Sequence, residues 1–106
     1  MKESQPSQWN FLTNHTHVLV VLDQDPDARI RDMAVEIGIT ERAVQRILSE
    51  LASDGFLSIE KQGRRNIYTI NRNMWLRHSL EKHVRIGSLL DTINSMKNKK
   101  KTKLST

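Results

Sequence analysis

Residues 31–57, RDMAVEIGITERAVQRILSELASDGFL, constrain the fold more than any other stretch of this chain. Ile30, Met33, Ala34 and Ile37 stand at offsets 0, 3, 4 and 7, one face of a helix with a 3.6-residue period. Asp32 falls in the first turn, where a carboxylate meets the positive end of the helix dipole. Gly38 follows the stripe at the position where a left-handed residue ends a helix at little cost to glycine. Ile39 is then a core residue, and Thr40 an N-cap whose hydroxyl accepts from the next helix's unpaired N–H groups. Val44, Ile47, Leu48 and Leu51 repeat the spacing; Gly55 supplies a second stop, with Phe56 placed to fold back on Leu51.

The other side of the second helix carries Arg42, Gln45, Arg46 and Ser49. One face is apolar and the other is free for a groove of DNA, which is the layout of a helix-turn-helix. An ordinary helical hairpin is the plain alternative. The Ala34–Gly38–Thr40 spacing of a tight turn and the polar outer face argue against it.

After Gly55 the period falls to 2, with Leu57, Ile59 and Lys61 on one side of a strand and Ser58 and Glu60 on the other. Residues 66–71, NIYTIN, supply a second strand with Tyr68 and Ile70 on one face. Between them Gln62, Gly63, Arg64, Arg65 and Asn66 form a hairpin tip. A basic hairpin tip beside a reading helix is the wing of a winged helix, where arginine reaches phosphates or enters a minor groove. Hairpin tips are often charged for solubility alone; the order helix-turn-helix, strand, basic tip, strand favours the wing.

At 106 residues the chain is sized for one domain, and with 37% hydrophobic residues its core is modest, so pairing with a second copy is expected. Cysteine is absent, which excludes disulfides and thiolate metal sites. The longest apolar run, residues 18–22, is too short to span a bilayer, and the start MKESQPSQW lacks the apolar stretch of a secretory signal. A cytoplasmic location with no membrane partner is the expectation. Net charge is +5, and five lysines in residues 97–103 account for it. Within the rest, residues 20–60 hold nine acids against four arginines, whereas residues 61–85 hold seven bases against Glu81 alone. Such polarisation suits orientation on a polyanion.

Residues 1–8 are polar and expected to be loose, and residues 9–96 to form the domain. Trp9, Phe11 and Leu12 carry too much apolar surface for a free tail, so they should dock on the domain or a partner subunit. Thr13 or Asn14 caps a helix through His15, Val18, Leu19 and Leu22, although the β-branched VLVVL also suits a strand. DQDPD breaks the structure, and Arg29 with Ile30 suits a brief strand before the helix-turn-helix. Residues 74–79 read as an irregular strap, with Trp75 and Leu76 covering the core. A last helix is expected over residues 80–96, with Leu80, Val84, Leu90 and Ile93 among its apolar positions and Gly87 interrupting it. A glycine there costs about 1 kcal/mol against alanine, so close approach of another backbone is expected. Residues 97–106 read as a disordered lysine-rich tail, with or without a part in non-specific DNA binding.

The chain resembles the small bacterial winged-helix transcriptional regulators of the MarR/ArsR-like superfamily. The similarity rests on FLTNHxHVL (residues 11–19), DPDAR (25–29), GITERAVQR (38–46) and GRRNxY (63–68), and covers residues 9–90. The resemblance implies an α+β, mainly α, winged helix-turn-helix with a two-stranded wing, a C-terminal dimerisation helix and VLVVL in a helix. It also implies a homodimer built from the terminal segments, here Trp9, Phe11, Leu80, Val84, Leu90 and Ile93, and DNA binding for transcriptional control. Members of that family favour proline where this chain has Ser79, which leaves the start of the last helix open. The lysine run is not a family feature.

The first functional expectation is therefore a homodimeric regulator of double-stranded DNA. Its recognition helix, residues 40–53, enters the major groove, with half-sites roughly one helical turn apart. Arg42 and Arg46 suit bidentate contact with guanine and Gln45 with adenine; Thr40 and Ser49 suit phosphates, as do Arg64 and Arg65 at the wing. Glu41 favours the helix N-terminus over a cytosine contact. A second expectation is a winged helix used as a protein-interaction module, since nine acids in residues 20–60 are unhelpful against DNA. A third is an effector or metal sensor, weakened because His15, His17, His78 and His83 show no ligand spacing. No cofactor is expected and any effector is unknown. An enzyme is not expected: the chain lacks a glycine-rich phosphate loop, GxSxG and a cysteine nucleophile.

Overall fold

The computed structural model describes residues 9–105, with side chains through residue 96. Its elements run α1 (Asn14–Gln24), α2 (Ile30–Ile37), α3 (Glu41–Ser53), β1 (Leu57–Gln62), β2 (Arg65–Ile70) and α4 (Ile86–Ser105). The expectation for residues 1–8 lies outside the described residues.

Thr13 caps α1, its hydroxyl accepting from the Thr16 N–H. VLVVL is helical despite its β-branched content. Val18, Leu19 and Leu22 are buried and Val20 and Val21 half-buried, because α2, α3, β2 and α4 all pack on this helix. Tertiary burial of so wide an arc overrides the weak local preference for a strand. Arg29 and Ile30 form no strand, contrary to expectation: Arg29 is the N-cap of α2 and Ile30 its first residue. The one strand-like link there is the Tyr68 N–H donating to Pro26 O at 3.0 Å.

Gly38 ends α2 at φ 86°, in the left-handed region, and the Gly38 and Ile39 N–H groups both donate to Ala34 O. Thr40 then caps α3, accepting from the Ala43 N–H at 3.0 Å. Past α3 the Phe56 N–H returns to Leu51 O at 2.9 Å, and both side chains are buried. The strands pair antiparallel with Leu57 opposite Ile70 and Ile59 opposite Tyr68. Gln62 faces Arg65, so the hairpin turns on Gly63 (φ 64°) and Arg64 alone, tighter than the five-residue tip expected.

The last helix starts later than its apolar positions suggested. Residues 72–85 form a strap whose neck is closed by the Leu76 N–H on Val84 O, the Ile86 N–H on Met74 O and the Gly87 N–H on Arg72 O. These backbone groups bond across the strap and are lost to an i→i−4 ladder, so α4 begins at Ile86. Leu80 is exposed at the strap and Val84 half-buried, neither of them on the helix. Gly87 lies in the first turn of α4. A Cβ there would sit 3.0 Å from both the backbone oxygen and the Cβ of Arg72, so the expected close approach is real but at a helix start. The backbone of α4 continues to Ser105 through the lysine run, where a disordered tail was expected; lysine is a good helix former.

One core unites the elements: Met33 and Ala34 of α2, Val44, Ile47, Leu48 and Leu51 of α3, Phe56, Leu57 and Tyr68 of the hairpin, and Ile86 and Leu90 of α4. Leu90, expected at a subunit interface, is fully buried within this chain and unavailable to a partner. The α4 stripe ends in Asn94, a buried amide that donates to Asp23 Oδ2 at 2.8 Å and accepts from Gln24. Beside it the Arg72 guanidinium bonds Asp23 at 2.5 Å, Asp91, and Gly87 O at 3.2 Å. These polar groups latch α4 to the end of α1.

Candidate nucleic-acid interface

Helix α3 presents two chemically distinct sides. Val44, Ile47, Leu48 and Leu51 are buried, whereas Arg42, Gln45, Arg46 and Ser49 are all exposed, as is Thr40 at the cap. Gly38 and Thr40 orient this helix against α2, and the apolar side fixes its rotation, so the polar residues can face only outward. The same outward side carries Glu41 and Glu50.

Arg46 does not stand alone. Its Nη1 lies 3.6 Å from Glu50 Oε2, one turn on, and Glu50 Oε1 lies 2.7 Å from His15 Nε2 on α1. The hydrogen bond from His15 holds the Glu50 carboxyl below the ordinary range, with the Arg46 charge adding to the effect. The i,i+4 spacing of Arg46 and Glu50 was visible in the sequence; the link to His15, 35 residues away, was not.

At the wing the two arginines separate. Arg64 is exposed at the turn and has no hydrogen-bond or ion-pair partner among the described residues. Arg65 is the first residue of β2, and its Nη2 donates to Asp27 O at 2.7 Å and to Asp27 Oδ2 at 3.2 Å. It ties the wing to the α1–α2 turn. A cleft of about 340 Å³ opens there between residues 27–30, which include Arg29, and Arg64, Arg65, Asn66 and Tyr68 of the hairpin. In the sequence Arg29 reads as part of a brief strand and not as a site residue, because it lies outside the reading helix and the wing. Within the same turn a side-chain hydrogen bond with Asp27 raises Asp25 above the usual carboxylate range.

Two other histidines make local contacts. His17 pairs with Asn14 at 3.0 Å, and His78 accepts from the Leu80 N–H. Among the described residues no three metal-ligating side chains come together, and no helix is long and apolar enough to cross a membrane. At the terminal segments Trp9 and Phe11 are exposed and pack edge to face, with ring centroids 4.9 Å apart. Ile93 is half-buried on α4.

No protein-family profile and no curated protein matches the chain. Solved structures do. A structure described as the predicted DNA-binding transcriptional regulator from E. coli superposes with a TM-score of 0.55 at 14% identity, over 76% of this chain and 74% of that one. The PcaV transcriptional regulator from Streptomyces coelicolor, solved with its natural ligand, superposes with a TM-score of 0.50 at 18% identity, over 88% of this chain and 67% of that one. At these identities the likeness is one of fold alone: a winged helix, mainly helical with a two-stranded antiparallel wing.

Proposed function

We propose that the chain is a sequence-specific double-stranded DNA-binding transcriptional regulator that acts as a homodimer, and is not an enzyme. One observation carries the reading. Arg42, Gln45, Arg46 and Ser49 stand exposed along one side of a helix whose opposite side is sealed in the core, with a free arginine at the adjoining hairpin turn. Residues 40–53 would lie in the major groove, Arg42 and Arg46 on guanines, Gln45 on adenine, and Thr40 and Ser49 on phosphates. Arg64 would take the wing's phosphate or minor-groove contact; Arg65, engaged with Asp27, would hold the wing in place.

Two copies would read half-sites about one helical turn apart. Exposed Trp9, Phe11 and Leu80, together with half-buried Val84 and Ile93, would supply apolar surface for pairing. Occupancy by the dimer would block or assist polymerase.

Selection of genomic fragments with the purified protein, followed by footprinting, tests the reading. Arg46→Ala should cost about 1–3 kcal/mol on the selected site and relax base preference at one position. Equal loss on selected and random DNA would sink base reading by Arg46. Salt-insensitive failure to bind any duplex would instead favour a protein-interaction module.

A further inference from the structure

We propose that His15 and Glu50 are a positioning pair for Arg46: the charge on the His15 ring decides how firmly the Glu50 carboxylate holds the guanidinium away from DNA. The proposal rests on the DNA-binding reading above and names a control built into that face.

The geometry is a chain of three side chains crossing from α1 to α3. His15 Nε2 meets one oxygen of Glu50 at 2.7 Å, and Arg46 Nη1 faces the other at 3.6 Å. All three are substantially solvent-exposed, so the arrangement is not a requirement of core packing. Imidazole is the side chain whose ordinary charge change falls between about pH 5 and 8. When the ring is neutral, it lends Glu50 a hydrogen bond only. The carboxylate then keeps its full charge, pairs with Arg46 and repels approaching phosphates. When the ring is protonated, it forms an ion pair with Glu50, cancels that charge and competes with the guanidinium for the carboxylate. Arg46 is released toward the groove, and the face formed by α3 with His15 of α1 becomes one charge more positive.

The other charged groups brought to α1 pair away from His15. From the strap Arg72 pairs with Asp23, eight residues from His15 and about 12 Å along the helix, and with Asp91 of α4; from β2 Arg65 pairs with Asp27, past the end of α1. From α2, Glu36 lies in a groove with His17. His17 itself is paired with Asn14.

The test is the affinity of the full chain for a random-sequence duplex at low salt, measured at about pH 5.5 and about pH 8. Wild type should bind about two- to fivefold tighter at the lower pH, the span of one exposed ion pair. His15→Gln keeps an N–H donor without the charge; it should abolish the pH response and leave affinity at the high-pH level. Glu50→Gln should also be flat with pH, but tight throughout. His17→Gln should respond like wild type. A His15→Gln variant that keeps the full pH response overturns the proposal, as does wild type binding equally at both values. Wild type that binds no duplex at either pH overturns the DNA reading as well, so the two failures are distinct.

Discussion

Arg64 and Arg65 are neighbours in the chain with different fates. Arg64 is free at the turn, while Arg65 is committed to the Asp27 carbonyl and carboxylate. Arg64→Ala should therefore weaken binding on every sequence and lower the salt slope of binding by about 1, as read from affinity against log salt. Arg65→Ala should instead cost about 0.2–1 kcal/mol of stability in urea denaturation, the range for an exposed pair, with the salt slope less affected. Gly87 makes a sharper case. The Arg72 carbonyl oxygen and Cβ would each lie 3.0 Å from an added Cβ, so Gly87→Ala makes the strap give by a few tenths of an ångström and should destabilise by about 1–3 kcal/mol despite alanine's better helix propensity. Chemical denaturation checks the sign: a stabilised variant would contradict the close approach.

At the scale of elements, the reading helix and its turn were legible in the sequence. Stripe, cap and glycine stop are local, and each was matched by the hydrogen bond or burial it anticipates: Gly38 to Ala34, Thr40 to Ala43, Val44 to Leu51 inward. The start of α4 was not legible. Leu80 and Val84 carry the spacing of a helix, but the strap's cross-links at Leu76, Ile86 and Gly87 outcompete it. Docking of α4 depends on polar groups as much as on Ile86 and Leu90. Arg72 bonds two carboxylates and a carbonyl, and Asn94 is buried with its amide satisfied. Arg72→Ala leaves Asp23 and Asp91 without that partner and should cost about 1–3 kcal/mol, measured by urea denaturation. An unchanged midpoint would mean that the apolar stripe alone holds the helix.

Across the whole molecule, charge and apolar surface are distributed unevenly. In sequence the bases of residues 61–85 are segregated from the acids of residues 20–60, but the fold pairs Arg65 with Asp27, Arg72 with Asp23 and Arg77 with Asp54, which offsets part of the polarity that would orient an approach to DNA. Trp9 and Phe11 remain exposed in the single chain, 63% and 91%, more apolar surface than an isolated tail tolerates without a partner. Replacing both by alanine should shift the sedimentation profile of the proposed dimer toward monomer; an unchanged profile would mean that Trp9 and Phe11 contribute nothing to pairing. Leu90, once a reasonable member of that surface, belongs to the interior.

The sequence alone determined whatever depends on spacing within a few residues: the two helices of the reading motif, their caps and the existence of the hairpin, though not the tightness of its turn. Periodicity and turn chemistry act over one or two turns of chain, so they can be read without coordinates. Tertiary structure decided which exposed cations are free and which are held. The Arg65–Asp27 and His15–Glu50 contacts join residues 38 and 35 apart, separations that no local pattern encodes. It also decided that VLVVL is helical and that Leu90 faces inward, because burial depends on what the rest of the fold brings alongside.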